Sequence, residues 1–128
     1  MKKVVIASAC RTAVGKFGGA LKDTPAADLG ALVIKEALRR ANVKPEMLDQ
    51  VYMGCVIQAG CGQNVARQAT LKAGLPVEVP AITINVLCGS GLDSDNEAAR
   101  ILMYDAPHIG RAGAQPEGRV QRIVAEAP

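Results

Sequence analysis

Apolar and polar positions alternate along this chain in blocks of two different periods. Val4–Ala9 is a short, nearly continuous apolar run, the pattern of a strand covered on both faces. Thr24-Pro25 then reads as a helix N-cap followed by proline in the first turn. Leu29, Leu32, Val33 and Ala37 give the following segment an apolar face at i, i+3, i+4 and i+8, and the spacing predicts a helix to about Ala41. Asn42 and Lys44-Pro45 stop it. Gln50–Ile57 reads as a second strand, and Gly60-Cys61-Gly62 breaks the chain. A second helix is predicted from about Asn64 to Ala73, ended by Gly74 and Pro76. Ala81–Val86 reads as a third strand. Strand, helix, strand, helix, strand is an α/β pattern, for which parallel pairing and right-handed crossovers are expected. Sites in such sheets gather at the carboxyl ends of strands.

Cys88 lies just beyond one such end, in Ile84-Asn85-Val86-Leu87-Cys88-Gly89-Ser90-Gly91-Leu92. The order predicts a strand, a tight turn and a helix start, with the sulfur lifted out at the turn. Free N–H groups and the partial positive charge at a helix start favour a thiolate, and the thiolate is the nucleophile. The same donors suit a developing oxyanion. The arrangement is the cysteine counterpart of the G-x-S-x-G elbow. The rival reading is a small buried residue packed beside two glycines, because a short motif such as Cys-Gly-x-Gly has many false positives.

Composition narrows the classes. The chain has 128 residues, of which 49% are hydrophobic, enough for one domain with a real core rather than a disordered segment. Aromatic residues make up only 2%, so the core must be built from Val, Ile, Leu and Ala. Base-stacking side chains are therefore nearly absent, and the basic residues behind the net charge of +3 are scattered, which argues against a nucleic-acid partner. There is no 18-residue apolar run to span a membrane. Met1-Lys2-Lys3-Val4-Val5-Ile6 opens like a signal peptide, but Arg11 cuts the apolar part short, so a cytoplasmic location is expected.

The four cysteines, at 10, 55, 61 and 88, contain no Cys-x-x-Cys pair, so neither a zinc site nor a thioredoxin-like motif is expected. Cys10, Cys55 and Cys61 read as small core or loop residues. Lys16 among Gly15, Gly18 and Gly19 lacks the phosphate-loop spacing and reads as a structural loop. Gln63, Asn64 and Arg67 are either polar interface residues or a capped helix start. No residue stands out as a cofactor ligand, and no metal is expected.

Four ordered segments carry a family resemblance: Ala9–Gly19, Val51–Gly60, Gly62–Ala69 and the Cys88 segment. Through them Met1 to Leu92 resembles the N-terminal part of a thiolase of the biosynthetic acetyl-CoA acetyltransferase kind. The resemblance implies an incomplete thiolase-like αβαβα layered fold, an α/β class. It implies that Cys88 carries an acyl group as a thioester, taking acetyl from acetyl-CoA. A second acetyl-CoA enolate would then attack to give acetoacetyl-CoA. Coenzyme A thioesters are substrates rather than cofactors, and the full-length family points to a homo-oligomer. None of Cys10, Cys55 and Cys61 matches the family's second catalytic cysteine, and the sole histidine, His108, does not stand in the family's Gly-His-Pro setting.

The resemblance weakens after Leu92. Asp93-Ser94-Asp95 interrupts a helix that the family buries between two sheets, where an ionised Asp95 would be costly unless paired. Asp93 near the helix start would suit the dipole but oppose a thiolate close by. From Asp105 the sequence is rich in Gly, Pro, Arg and Ala, with one apolar patch at Ile123-Val124-Ala125. The expected organisation is a partial thiolase-like domain over 1–104 and a divergent, disordered tail over 105–128, as a frameshift or truncation would produce. With only the nucleophile visible, the isolated chain is expected to be inactive. The reading from another class is a non-catalytic α/β fragment or interaction module with Cys88 as a reactive surface thiol.

Overall fold

The computed structural model describes residues 4–104 and 122–126. Three helices and three strands follow in the order α1 (Ala26–Ala41), β1 (Gln50–Gly54), α2 (Val65–Lys72), β2 (Ala81–Ile84), α3 (Ser90–Tyr104) and β3 (Arg122–Glu126), with one 3₁₀ turn at Pro45–Met47. The sheet is parallel, in the order β2-β1-β3. Val51 stands beside Ala81 on one side and Ile123 on the other. β1 is thus the central strand, and all five of its residues are buried. The α/β class read from the periodicity holds.

The side chains of β1 alternate between two layers, as a pleated strand requires. Met53 points at α1 and α2: its thioether reaches the space over Gly30, beside Ala69. Gly54, one residue on, faces the start of α3 at Ser90 and Gly91. The sheet therefore separates an α1/α2 layer from an α3 layer. The apolar core fills the first, with Ile34, Val51, Met53, Val65, Ala66 and Ala69 fully buried. A Lys72–Asp28 ion pair ties α2 to α1 at the rim.

Helix ends follow local chemistry. α1 begins after Pro25, one residue later than the Thr24 cap predicts, and Pro25 O accepts from the Asp28 and Leu29 amides. It ends at Asn42 in the left-handed region (φ 52°), as the sequence suggests. Its buried face runs through Ala27, Ala31, Ile34 and Leu38, whereas Leu32 is exposed. Leu32 lies two residues before Ile34, about 200° round a helix of 3.6 residues per turn, so it cannot share that face.

The largest departure is at the N-terminus. Val4–Ala9 forms no strand, and Val5 and Ile6 are 77% and 89% exposed. The segment lies along α1 instead: Ser8 Oγ donates to Ala37 O at 2.9 Å, and the Arg40 guanidinium donates to Ala9 O at 2.8 Å. A strand needs a ladder partner, and β3 holds the free edge of β1. Within the tail expected over 105–128, Arg122–Glu126 pair with β1 across its whole length as β3. The remainder of that tail, with His108, lies outside the described residues.

Candidate functional site

Cys88 stands on the turn between β2 and α3, and it is exposed. Cys55 is buried, and Cys10 and Cys61 are half-buried, so Cys88 is the most exposed of the four. The reading of Cys88 as a packed interior residue is thereby set aside.

Two side chains hold the turn. Asn85 Oδ1 accepts from Leu87 N at 3.1 Å, an Asx turn, while Asn85 Nδ2 donates to Val56 O at 2.9 Å and ties the turn to the loop after β1. Ser90 Oγ donates to Leu87 O at 2.6 Å and accepts from Val86 N at 3.0 Å. Ser90 N also donates to Leu87 O. These bonds hold Leu87 in the left-handed region (φ 56°), a costly conformation for a branched residue. Backbone strain immediately before the sulfur, fixed from both sides, is how a sharp elbow presents a nucleophile.

The turn also rests on β1. A Cβ at Gly54 would meet Gly91 N and Ser90 C at 2.8 Å. Only a glycine lets the first turn of α3 come this close to the strand. Farther along α3, Ser94 and Ala98 are buried while Leu92, Asp95 and Asn96 are exposed. Ser94 Oγ donates to Ser90 O, so its hydroxyl is satisfied within the helix. Asp95 corrects the sequence expectation of a costly buried carboxylate: it faces outward here, although partial desolvation still pushes its carboxyl pKa up.

The segment with Gln63, Asn64 and Arg67 resolves as structure. Asn64 caps α2, accepting from Arg67 N at 3.0 Å and donating to Ala81 O. Arg67 donates to the carbonyls of Val79 and Val77. Both side chains thus fasten α2 to the approach of β2, and only Gln63 remains exposed without such a task. Lys16, Gly15 and Gly18 line a shallow depression with Leu21 and Leu29, apart from Cys88. Among the described residues, no group of three or more His, Cys, Asp or Glu could hold a metal ion, and no helix is long and apolar enough to cross a membrane.

Sequence reasoning missed Asn85, Ser90 and Gly54. The first two had a signal: an Asn at a strand end and a Ser at a helix start are turn and cap residues. Gly54 had none, since its role depends on which helix crosses the strand.

A strained turn that presents an exposed cysteine ahead of a helix is matched by family-level similarity. The model of the thiolase N-terminal domain matches residues 4–115. The chain belongs to the thiolase family. The match runs past residue 104, where the composition suggested a boundary. An acetyl-CoA acetyltransferase of Cupriavidus necator is 59% identical over 115 residues, 90% of this chain and 29% of that protein. One of Syntrophomonas wolfei is 53% identical over 112 residues, 88% of this chain and 28% of that protein. A protein of the same name from Clostridioides difficile is 60% identical over 94 residues, 73% of this chain and 88% of that protein. The chain thus spans under a third of the length of the first two thiolases.

Proposed function

We propose that Cys88 is the acyl-carrying nucleophile of an acetyl-CoA acetyltransferase, of which this chain holds the nucleophile turn. The observation that carries the reading is the exposed thiol on a turn held by Asn85 and Ser90 at the start of α3. The Cys88 thiolate attacks the carbonyl carbon of acetyl-CoA. The partial positive charge at the start of α3 stabilises the oxyanion. Collapse expels the coenzyme A thiolate, which takes up a proton, and leaves acetyl on Sγ. A second acetyl-CoA, deprotonated at its methyl group, attacks that thioester to give acetoacetyl-CoA and returns the Cys88 thiolate. Coenzyme A thioesters are the substrates on this reading, and the protein acts in the cytoplasm as a homo-oligomer.

The second half-reaction needs a base that activates the thiolate and an acid–base partner that forms the enolate. No Gly-His-Pro segment and no second Cys-Gly segment follow Cys88 in this sequence. The 128-residue chain therefore acylates without sustained turnover. Incubation with acetyl-CoA followed by intact mass is the test: a gain of one acetyl group that disappears in Cys88→Ser supports the reading. Acetylation that persists in Cys88→Ser, or none at all in folded chain, favours a non-catalytic module with a reactive thiol. Steady acetoacetyl-CoA formation that Cys88→Ser abolishes would overturn the expectation of no turnover.

A further inference from the structure

Cys55 and Cys61 belong to no step of that chemistry, yet the fold brings them together. Cys55 follows the last residue of β1, and Cys61 closes the loop that leaves the strand. Between them the chain folds back: Cys61 N donates to Gln58 O at 3.0 Å, and Gln58 Nε2 donates to Cys55 O at 3.0 Å. Gly60 and Gly62, on either side of Cys61, both lie in the left-handed region (φ 79° and 78°), which sets the return. Both thiols then aim at one acceptor: Cys61 Sγ lies 3.5 Å and Cys55 Sγ 3.9 Å from Ile57 O.

We infer that Cys55 and Cys61 form a dithiol site that closes to an intramolecular disulfide on reaction with a low-molecular-weight disulfide. The site goes beyond the acyl-transfer reading and does not use Cys88. The two cysteines differ in access in the way such a pair requires. Cys61 is half-buried on an exposed loop, and Cys55 is buried beneath it. Burial and the neighbouring Cys61 push the Cys55 thiol pKa up, so Cys55 waits as a thiol. The Cys61 thiolate attacks one sulfur of the external disulfide and expels one thiolate, which takes up a proton. Cys55 then gives its proton to solvent and attacks Cys61 Sγ. The Cys55–Cys61 bond forms and the second external thiolate leaves. Two protein thiols are oxidised, and one external disulfide is reduced to two thiols.

The loop touches the nucleophile turn. Val56, inside the ring that would close, accepts the hydrogen bond from Asn85 Nδ2, and Asn85 in turn holds Leu87 N. A bond between the two sulfurs therefore forms one hydrogen bond away from the Cys88 elbow.

The test treats the folded full chain with oxidised glutathione, alkylates the remaining thiols and maps the tryptic peptides without reduction. A disulfide oxidant is chosen because Met47 and Met53 share the peptide 41–67 with both cysteines and peroxide would oxidise them. The expected result is that peptide lighter by two hydrogens and closed to alkylation at both cysteines, in wild type and in Cys10→Ser. In Cys61→Ser the loss disappears and Cys55 stays alkylatable. Wild-type mapping decides the matter even where the variant folds poorly. Full alkylation of both cysteines, a stable glutathione adduct on Cys61 with Cys55 free, or pairing of either with Cys10 or Cys88 would each overturn the inference.

Discussion

The two layers on either side of β1 are built on opposite principles. Toward α1 and α2 the strand presents Met53, which fills the space over Gly30 and against Ala69 with a flexible thioether. Toward α3 it presents Gly54, which fills nothing and lets Ser90 and Gly91 come to contact distance. The first layer is stabilised mainly by buried apolar volume, with polar ties from Asn64, Arg67 and the Lys72–Asp28 pair at its rim. The second is placed by the absence of volume and by hydrogen bonds from Asn85 and Ser90. Stability is therefore concentrated on the α1/α2 side, and the geometry of Cys88 is set on the α3 side.

Substitution at the two neighbouring positions separates these roles. Met53→Ala removes a fully buried side chain, and loss of such a group costs about 2–5 kcal/mol. The expected result is a large fall in the urea midpoint, with Cys88 still the fastest cysteine to alkylate under folding conditions. Gly54→Ala adds a methyl that the α3 backbone blocks, and overpacking costs about 1–3 kcal/mol. Here the smaller stability loss is expected to come with a changed Cys88 alkylation rate, because the start of α3 must shift. Chemical denaturation together with peptide-mapped alkylation reads both quantities. An unchanged Cys88 rate in Gly54→Ala, or a changed one in Met53→Ala at matched folded fraction, would erase the distinction between the layers.

The sequence revealed more of the turn than of the sheet. The Cys88 elbow was legible because strand, cysteine, glycine and helix start are adjacent in the chain and each has local chemistry. Asn64 as a cap and Asn42 as a stop were legible for the same reason. The role of Val4–Ala9 was not, since an apolar run states that both faces want cover but not which strand supplies the ladder. The apolar patch at Ile123-Val124-Ala125 was noticed, yet its pairing with Val51, Tyr52 and Met53 spans some seventy residues of sequence. Leu32 shows the same limit on a smaller scale. Its spacing fits an apolar face, but the partner of α1 decides which face is buried.

Asp95 gives the smallest expected effect and tests the α3 layer from its outer side. The family resemblance places this helix between two sheets, where Asp95→Val would stabilise by about 1–3 kcal/mol through removal of a buried carboxylate. Here Asp95 is exposed and its carboxyl pKa is raised by partial desolvation. A raised carboxyl pKa means that the folded state holds its proton longer than the unfolded chain. Its contribution to stability is thus greatest in acid and is lost as pH rises from the ordinary 3.8 through the higher folded value. Asp95→Val removes that loss, so the variant gains relative to wild type at neutral pH and not in acid. Solvent screening at an exposed site keeps the gain within about 0.5 kcal/mol, the range of surface substitutions. Paired urea titrations in acid and at neutral pH measure it. A neutral-pH gain above about 1 kcal/mol would mean that something covers the outer face of α3 in solution. The α3 layer would then be an interior that this chain shares, and its contrast with the α1/α2 layer would lie in what packs outside it.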